Sequence, residues 1–298
     1  MTEPPLIASS DDTLERLDRL ARTQPGYTHG SFRFSFGKLD YVDPVSLRIL
    51  YEEVFVRKVY DFRTDAPAPV IVDCGGNIGF TVLRFKQLYP ESRVTVYEAD
   101  PAICRVLKEN VRTLGLVGVE VVCAGVWCED GEMDFVAEGG DGGRLVEGGN
   151  ARVRTIRLAD RLKDPVDLLK LDIEGAEWEV LADLCDSGAL DRVSHLIVEF
   201  HGRRNHRYTF GRLLSQIAEA GFDFTFPWSY CEPGLPGDRE PTPFPYAKDG
   251  KYICFFQAWR PLVSRSGATL HALNESVRSE PSHHAGNEAS VQRRSHVR

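Results

Sequence analysis

An apolar run passes directly into an acidic, glycine-rich turn at Val70-Ile-Val-Asp-Cys-Gly-Gly-Asn-Ile-Gly79, which fixes a strand, a tight turn and a helix at that point of the chain. Glycines let the backbone turn sharply and approach a ligand, and the helix that follows presents unpaired N–H groups at its start. A dinucleotide-binding turn needs Gly-x-Gly-x-x-Gly to admit a pyrophosphate. Counting from Gly75 puts Asn77 and Phe80 where the second and third glycines belong, so NAD is disfavoured. Asp73 at the strand end repels phosphate and suits an ammonium. S-adenosylmethionine, with an α-amino group, a sulfonium and no phosphate, fits that turn better. Asn77 and Gly79 also read as a tight turn with a helix cap.

About 20 residues further on, Arg93-Val-Thr-Val-Tyr-Glu-Ala-Asp-Pro101 reads as a second strand ending in Glu98, an acid placed to accept both hydroxyls of a ribose. Asp100-Pro101 reads as an N-cap followed by proline at the first helical position. A third such element, within Asp167 to Glu177, is another strand that ends in the carboxylates Asp172, Glu174 and Glu177, and a further strand ends at Val198-Glu-Phe-His201. Together, Asp73-Cys-Gly-Gly-Asn-Ile-Gly79, Tyr97-Glu-Ala-Asp-Pro101, Lys170-Leu-Asp-Ile-Glu-Gly-Ala-Glu177 and Val198-Glu-Phe-His201 make the chain resemble the FkbM family of S-adenosylmethionine-dependent methyltransferases, from about Phe32 to Trp259.

The alternation of strand and helix from Val70 onward predicts a doubly wound parallel sheet, with strands at 70–73, 93–97, 119–123, 167–171 and 194–200 and helices at 78–88, 101–114, 175–184 and 209–220. The resemblance implies seven strands in a mostly parallel, Rossmann-like sheet whose last strand is antiparallel. Ligands of such sheets bind beyond the carboxyl ends of the strands, where the strand order reverses. Residues 1–65 read as an N-terminal extension, with a docking helix over 11–21 and a hairpin and helix over 32–62 that the family resemblance places at the cofactor mouth. The methyltransferase domain is expected over 66–261, and the polar segment 262–298 as disordered. The glycine-rich stretch 131–155 predicts an inserted hairpin whose mobile tip covers the cofactor. Trp228, Tyr230, Phe244 and Tyr246, on a proline-rich loop, are candidates for an acceptor wall, with sealing of the sheet edge as the other reading.

Asp73, Gly75, Asn77, Gly79, Glu98, Ala99 and Asp172 are the expected cofactor-binding residues. His201, Asp172 and Glu199 are the catalytic candidates. His201 is the proposed general base because imidazole titrates near neutral pH, and Asp172 would meet the methionine amine or the acceptor. Glu174 and Glu177 are read as sharing a helix face. Asp172, Glu199 and His201 also form a ligand set suited to Mg²⁺ or Mn²⁺ if their side chains converge.

The formal charge of −8 argues against a nucleic-acid binder. The seven cysteines, odd in number and mostly in apolar strand or helix context, are expected to be reduced core residues, and no second Cys or His pair completes a zinc pattern with Cys123 and Cys128. No segment reads as a secretory signal or a membrane span, and cytoplasm is the expectation. The leading function is O-methylation of a hydroxyl on a sugar, glycolipid or polyketide-like natural product. The alternatives are an N-, carboxyl- or protein-directed methyltransferase, or a SAM- or nucleotide-binding module without catalysis.

Overall fold

The structure is a computed structural model, and it describes residues 10–140, 142–203, 207–230 and 251–261. An N-terminal helix α1 (Ser10–Thr23) leads into a hairpin of β1 (Gly30–Phe34) and β2 (Gly37–Tyr41), then into α2 (Pro44–Tyr51), which widens into a π-helical turn over Glu52–Arg57. The alternating section follows: β3 (Val70–Cys74), α3 (Phe80–Leu88), β4 (Arg93–Glu98), α4 (Pro101–Thr113) and β5 (Val119–Cys123). Next come β6 (Gly125–Trp127), β7 (Gly131–Val136), β8 (Arg144–Leu145) and β9 (Ala151–Arg157). The chain closes with β10 (Val166–Leu171), α5 (Glu177–Asp186), β11 (Val193–Arg203), α6 (Arg207–Glu219), β12 (Asp223–Tyr230) and β13 (Lys251–Trp259).

Seven strands form the main sheet in the order β12-β13-β11-β10-β3-β4-β5. β13 is antiparallel to both of its neighbours, and the pairings from β11 through β5 are parallel. The expected sheet is thus present, and its antiparallel strand is last in sequence but second from the edge in space. Strand order reverses between β3 and β10, which puts a ligand crevice at their carboxyl ends.

Side chains alternate across the strands with period two and so divide the core into two layers. Val72, Leu169, Leu171, Leu196, Val198 and Phe200 pack with Trp178 and Leu181 of α5 and Leu213 of α6 on one face. Ile71, Val94, Val96, Leu168 and Ile197 pack on the other face with Phe80 and Leu83 of α3, Leu107 of α4 and the N-terminal Leu17, Leu39 and Leu47. Residues 10–65 therefore contribute to the same core as the sheet. On the second face the parity of β3, β10 and β11 also places Asp73, Lys170, Glu199 and His201, which brings charge chemistry to one side of the sheet.

Asn110 of α4 stitches the hairpin to the glycine turn. Its amide nitrogen donates to the carbonyls of Asp40 and Ile78, at 2.9 and 2.8 Å, and its oxygen accepts from the Asp40 N–H at 2.8 Å. Only 2% of Asn110 is exposed, so truncation to alanine leaves three backbone groups short of partners. We expect Asn110→Ala to lower unfolding free energy by about 2–4 kcal/mol, read as a shift in urea midpoint.

Three sequence expectations are corrected here. Cys104 of α4 and Cys123 at the end of β5 form a disulfide, with Cα atoms 5.7 Å apart, so not all cysteines are reduced. The helix crossover between β4 and β5 brings together two residues 19 apart in sequence, a proximity with no local signal. The stretch 131–155 is more than a hairpin: β6, β9, β7 and β8 pair as a four-stranded sheet. Glu174 lies in the turn before α5 with a positive φ of 57°, and only Glu177 is helical, so the two do not share a helix face. Among the described residues no helix is long and apolar enough to cross a membrane. The tail from 262 and most of the proline-rich loop, residues 231–250, lie outside the described residues.

Candidate active site

The turn after β3 is built by hydrogen bonds its glycines permit. Gly75 adopts φ 87°, and the N–H groups of Gly75 and Gly76 both donate to the Tyr97 carbonyl, at 3.0 and 2.9 Å. Asn77 follows at φ 45°, and its N–H donates to Glu98 at 2.9 Å. The second Glu98 oxygen accepts from the Asp100 N–H at 2.8 Å. Each carboxylate oxygen retains a further acceptor position. Burial raises the Glu98 pKa from its ordinary value to about 7, against the lowering effect of the two backbone donors. Asp100 caps α4 by accepting from the N–H groups of Ala102 and Ile103, with Pro101 in the first turn, as the sequence predicts.

A cavity opens over this turn. Its wall includes Gly75, Gly76, Asn77, Glu98, Ala99 and Asp100 on one side, and Lys170, Asp172, Ile173 and Glu174 beyond β10. Ala124, Gly125 and Val126 line it after β5, and Leu50, Val54 and Tyr60 close it from the N-terminal segment. Gly140, Gly143, Arg144 and Leu145 reach it from the turn between β7 and β8. The expected cofactor residues Gly75, Asn77, Glu98, Ala99 and Asp172 thus converge on one cavity.

Asp73 and Gly79 do not line it. Asp73 is fully buried, its Oδ1 lies 3.2 Å from Lys170 Nζ, and its Oδ2 accepts from the Thr81 hydroxyl. A carboxylate sealed behind the turn and already ion-paired cannot also meet a cofactor ammonium. Gly79 instead is the N-cap of α3 at φ 98°, and the Asn77 side chain accepts from the adjacent Ile78 N–H and makes no helix cap. Lys170 Nζ further donates to the Gly75 carbonyl at 2.9 Å and lies 3.3 Å from Asp172 Oδ2. Burial works against the Lys170 charge, but Asp73 and Asp172 outweigh it and raise its pKa.

Tyr60 was not foreseen. Its ring is fully buried, with Lys170 Nζ 5.0 Å from the ring centre, and its hydroxyl lies 3.0 Å from both Asp172 Oδ2 and Glu199 Oε2. More than 100 residues separate Tyr60 from both carboxylates, so no spacing pattern could link them. Lys170 did carry a signal: a lone charge inside Leu-Leu-Lys-Leu of a buried strand requires a partner.

Glu199 and His201 stand two apart on β11 and share a face, beside the cavity wall but not on it. Burial first, and Asp172 second, push the Glu199 pKa to about 8. His201 Nδ1 lies 3.1 Å from the fully buried Glu177, and Nε2 lies 3.5 Å from Glu174 and 3.9 Å from Glu199. Burial opposes a charge on His201, but Glu177, Glu174 and Asp172 outweigh it and raise its pKa well above the usual imidazole value. A charged imidazolium has no lone pair for a proton, so in these surroundings His201 is a donor and not the free general base expected. The loop residues Trp228 and Tyr230 fall within β12, and the rest of the expected acceptor wall lies outside the described residues.

Comparison with known proteins agrees with this geometry. Residues 73–224 match the methyltransferase FkbM domain. Over 226 residues the chain is 27% identical to methyltransferase sdnD of Sordaria araneosa, covering 62% of this chain and 85% of that protein. Methyltransferase 1 of Beauveria bassiana is 28% identical over 191 residues, 53% of this chain and 76% of the relative. The 2-O-methyltransferase NoeI of Sinorhizobium fredii is 29% identical over 143 residues, 40% of this chain and 58% of the relative.

Proposed function

Because the chain belongs to the FkbM methyltransferase family and is an enzyme that transfers methyl groups, we propose that its donor is S-adenosylmethionine and its acceptor a hydroxyl oxygen of a sugar, glycolipid or polyketide-like natural product. When bound, that donor supplies an electrophilic methyl group on a sulfonium. The observation that carries the reading is the single cavity joining the Gly75–Asn77 turn and Glu98 to Asp172. Its wall is acid-rich, with Glu98, Asp100, Asp172 and Glu174 against Lys170 and Arg144, which favours a cationic, phosphate-free ligand over a dinucleotide. The Gly75–Asn77 turn approaches the ligand by its backbone, Glu98 accepts from the ribose hydroxyls, and Ala99 with Ala124 to Val126 flank the adenine. Asp172 marks the acceptor end. The choice of oxygen as the accepting atom draws on the 2-O-methyltransferase among the relatives.

Calorimetric titration of the full chain with S-adenosylmethionine, NAD and ATP in parallel tests the donor. Saturable binding of S-adenosylmethionine alone is expected, and a folded sample that ignores it overturns the reading. Glu98 gives this binding a pH dependence. Below its pKa of about 7 the group is protonated and loses acceptor capacity, so affinity should tighten about tenfold between pH 6 and pH 8 as the ionised fraction rises. Glu98→Gln, neutral throughout, should bind weakly and show a flat profile; a wild-type profile without slope would remove Glu98 as the ribose acceptor.

A further inference from the structure

We propose that the Cys104–Cys123 disulfide is a redox clasp on the wall of the cofactor cavity, and that its reduction loosens this wall and weakens S-adenosylmethionine binding. The bond joins the first turn of α4 to the last residue of β5, with Cα atoms 5.7 Å apart. The chain lines the cavity next to each sulfur: Asp100 and Ile103 precede Cys104, and Ala124, Gly125 and Val126 follow Cys123. Cys123 also stands in register opposite Glu98, at the last pair of the β4–β5 ladder. The disulfide thus ties together the two segments that flank Glu98.

Both segments are places where a fold opens easily. Among the described residues β5 is the edge strand of the main sheet and pairs within it with β4, so its carboxyl end is held from one side. α4 begins at Pro101, and its first turn hangs on the Asp100 cap. Helix starts and strand ends open locally at the least cost. A covalent bond across them removes the open conformations of both, and two thiols at the same places do not.

The bond is also open to exchange. Cys104 is fully buried but Cys123 is part-exposed, so a small thiol reaches the pair from the Cys123 side. A thiolate of a dithiol such as dithiothreitol attacks the Cys123 sulfur, and the Cys104 sulfur leaves and takes up a proton. The second thiol of the reagent then displaces Cys123, leaving two thiols on the protein and a cyclic disulfide on the reagent, a transfer of two electrons. Cys74, Cys128 and Cys185 remain thiols, so the chain is not built as a disulfide scaffold. A single reducible bond among the described residues, set beside a ligand cavity, fits a redox-responsive element. Its effect on donor binding rests on the reading above; the loosening of the wall does not.

Calorimetric titration with S-adenosylmethionine and hydrogen-exchange mass spectrometry, each on the full chain before and after dithiothreitol, test both parts. The oxidised chain should bind at least about fivefold more tightly, the lower end of usual coupling between two sites. Amides of residues 99–104 and 123–126 should exchange faster after reduction. Linkage requires the donor to stabilise the disulfide by the same factor, read as the balance of alkylated Cys104 and Cys123 in buffers of reduced and oxidised dithiothreitol. Cys104→Ala combined with Cys123→Ala should bind like the reduced chain and ignore the reductant, and the wild-type comparison stands without that variant. Affinity or wall exchange that reduction leaves unchanged overturns the clasp and keeps the donor, as does a double variant that still responds to reductant. No binding in either redox state, with faster exchange after reduction, removes the donor and leaves the loosened wall.

Discussion

Gly75→Ala is expected to weaken cofactor binding by at least about 100-fold, equivalent to roughly 3 kcal/mol. Two penalties combine at this residue. Its φ of 87° is left-handed, which costs a non-glycine residue about 1–3 kcal/mol. In addition, a Cβ on Gly75 would overlap the backbone carbonyl of Asp172, a neighbour held by the hydrogen bond from the Asp172 N–H to the Cys74 carbonyl at 3.1 Å. Backbone cannot rotate away as a side chain can, so β3 and β10 must part where both meet the cavity. Gly175→Ala provides the control. Gly175 has a φ of 103° but open space where its Cβ would stand, so this variant should show strain without overlap and keep most of its cofactor affinity. Calorimetry on both variants decides the matter, and a Gly75→Ala protein that binds within a few-fold of wild type would show that the turn does not hold the cofactor.

Lys170→Met is expected to produce the largest loss of stability, about 3–5 kcal/mol, because it leaves Asp73 as an uncompensated buried charge. Lys170 is 1% exposed and Asp73 wholly buried, so water cannot replace the lost partner. The variant also withdraws the donor from the Gly75 carbonyl and the cation beside Asp172. For a domain of this size the loss corresponds to roughly 6–20 °C in melting temperature, measured by calorimetric scan. Pairing it with Asp73→Asn removes the stranded charge, and the double variant should recover a substantial part of the loss. A Lys170→Met protein within about 1 kcal/mol of wild type would mean that the Asp73–Lys170 pair has no such weight. Cofactor affinity should fall in both variants, since the carbonyl of Gly75 loses its anchor either way.

These two residues mark different degrees of legibility. Gly75 stands in a contiguous pattern, and a strand entering a glycine turn has few alternatives, so its location and its neighbours Asn77 and Glu98 followed from spacing alone. Lys170 lay inside a recognised motif without an evident partner. Its meaning depends on β3 and β10 being adjacent in register, Asp73 opposite Lys170, and strand pairing across 97 residues is not written in either segment. Asp73 itself was misassigned for the same reason: local pattern shows a carboxylate at a strand end but not which side of the turn it occupies.

The sequence by itself determined the alternation of strands and helices and the acidic strand ends, because period-two and helical patterns, caps and turn glycines act over a few residues. Tertiary structure alone decided that Asp73 faces Lys170 and not the cavity, that Glu177 holds His201, that Cys104 meets Cys123, and that Tyr60 bridges Asp172 and Glu199. Each of those contacts joins segments brought together by strand order and layer packing. Their partners are fixed by the burial of the whole core, and no short stretch of the chain encodes them.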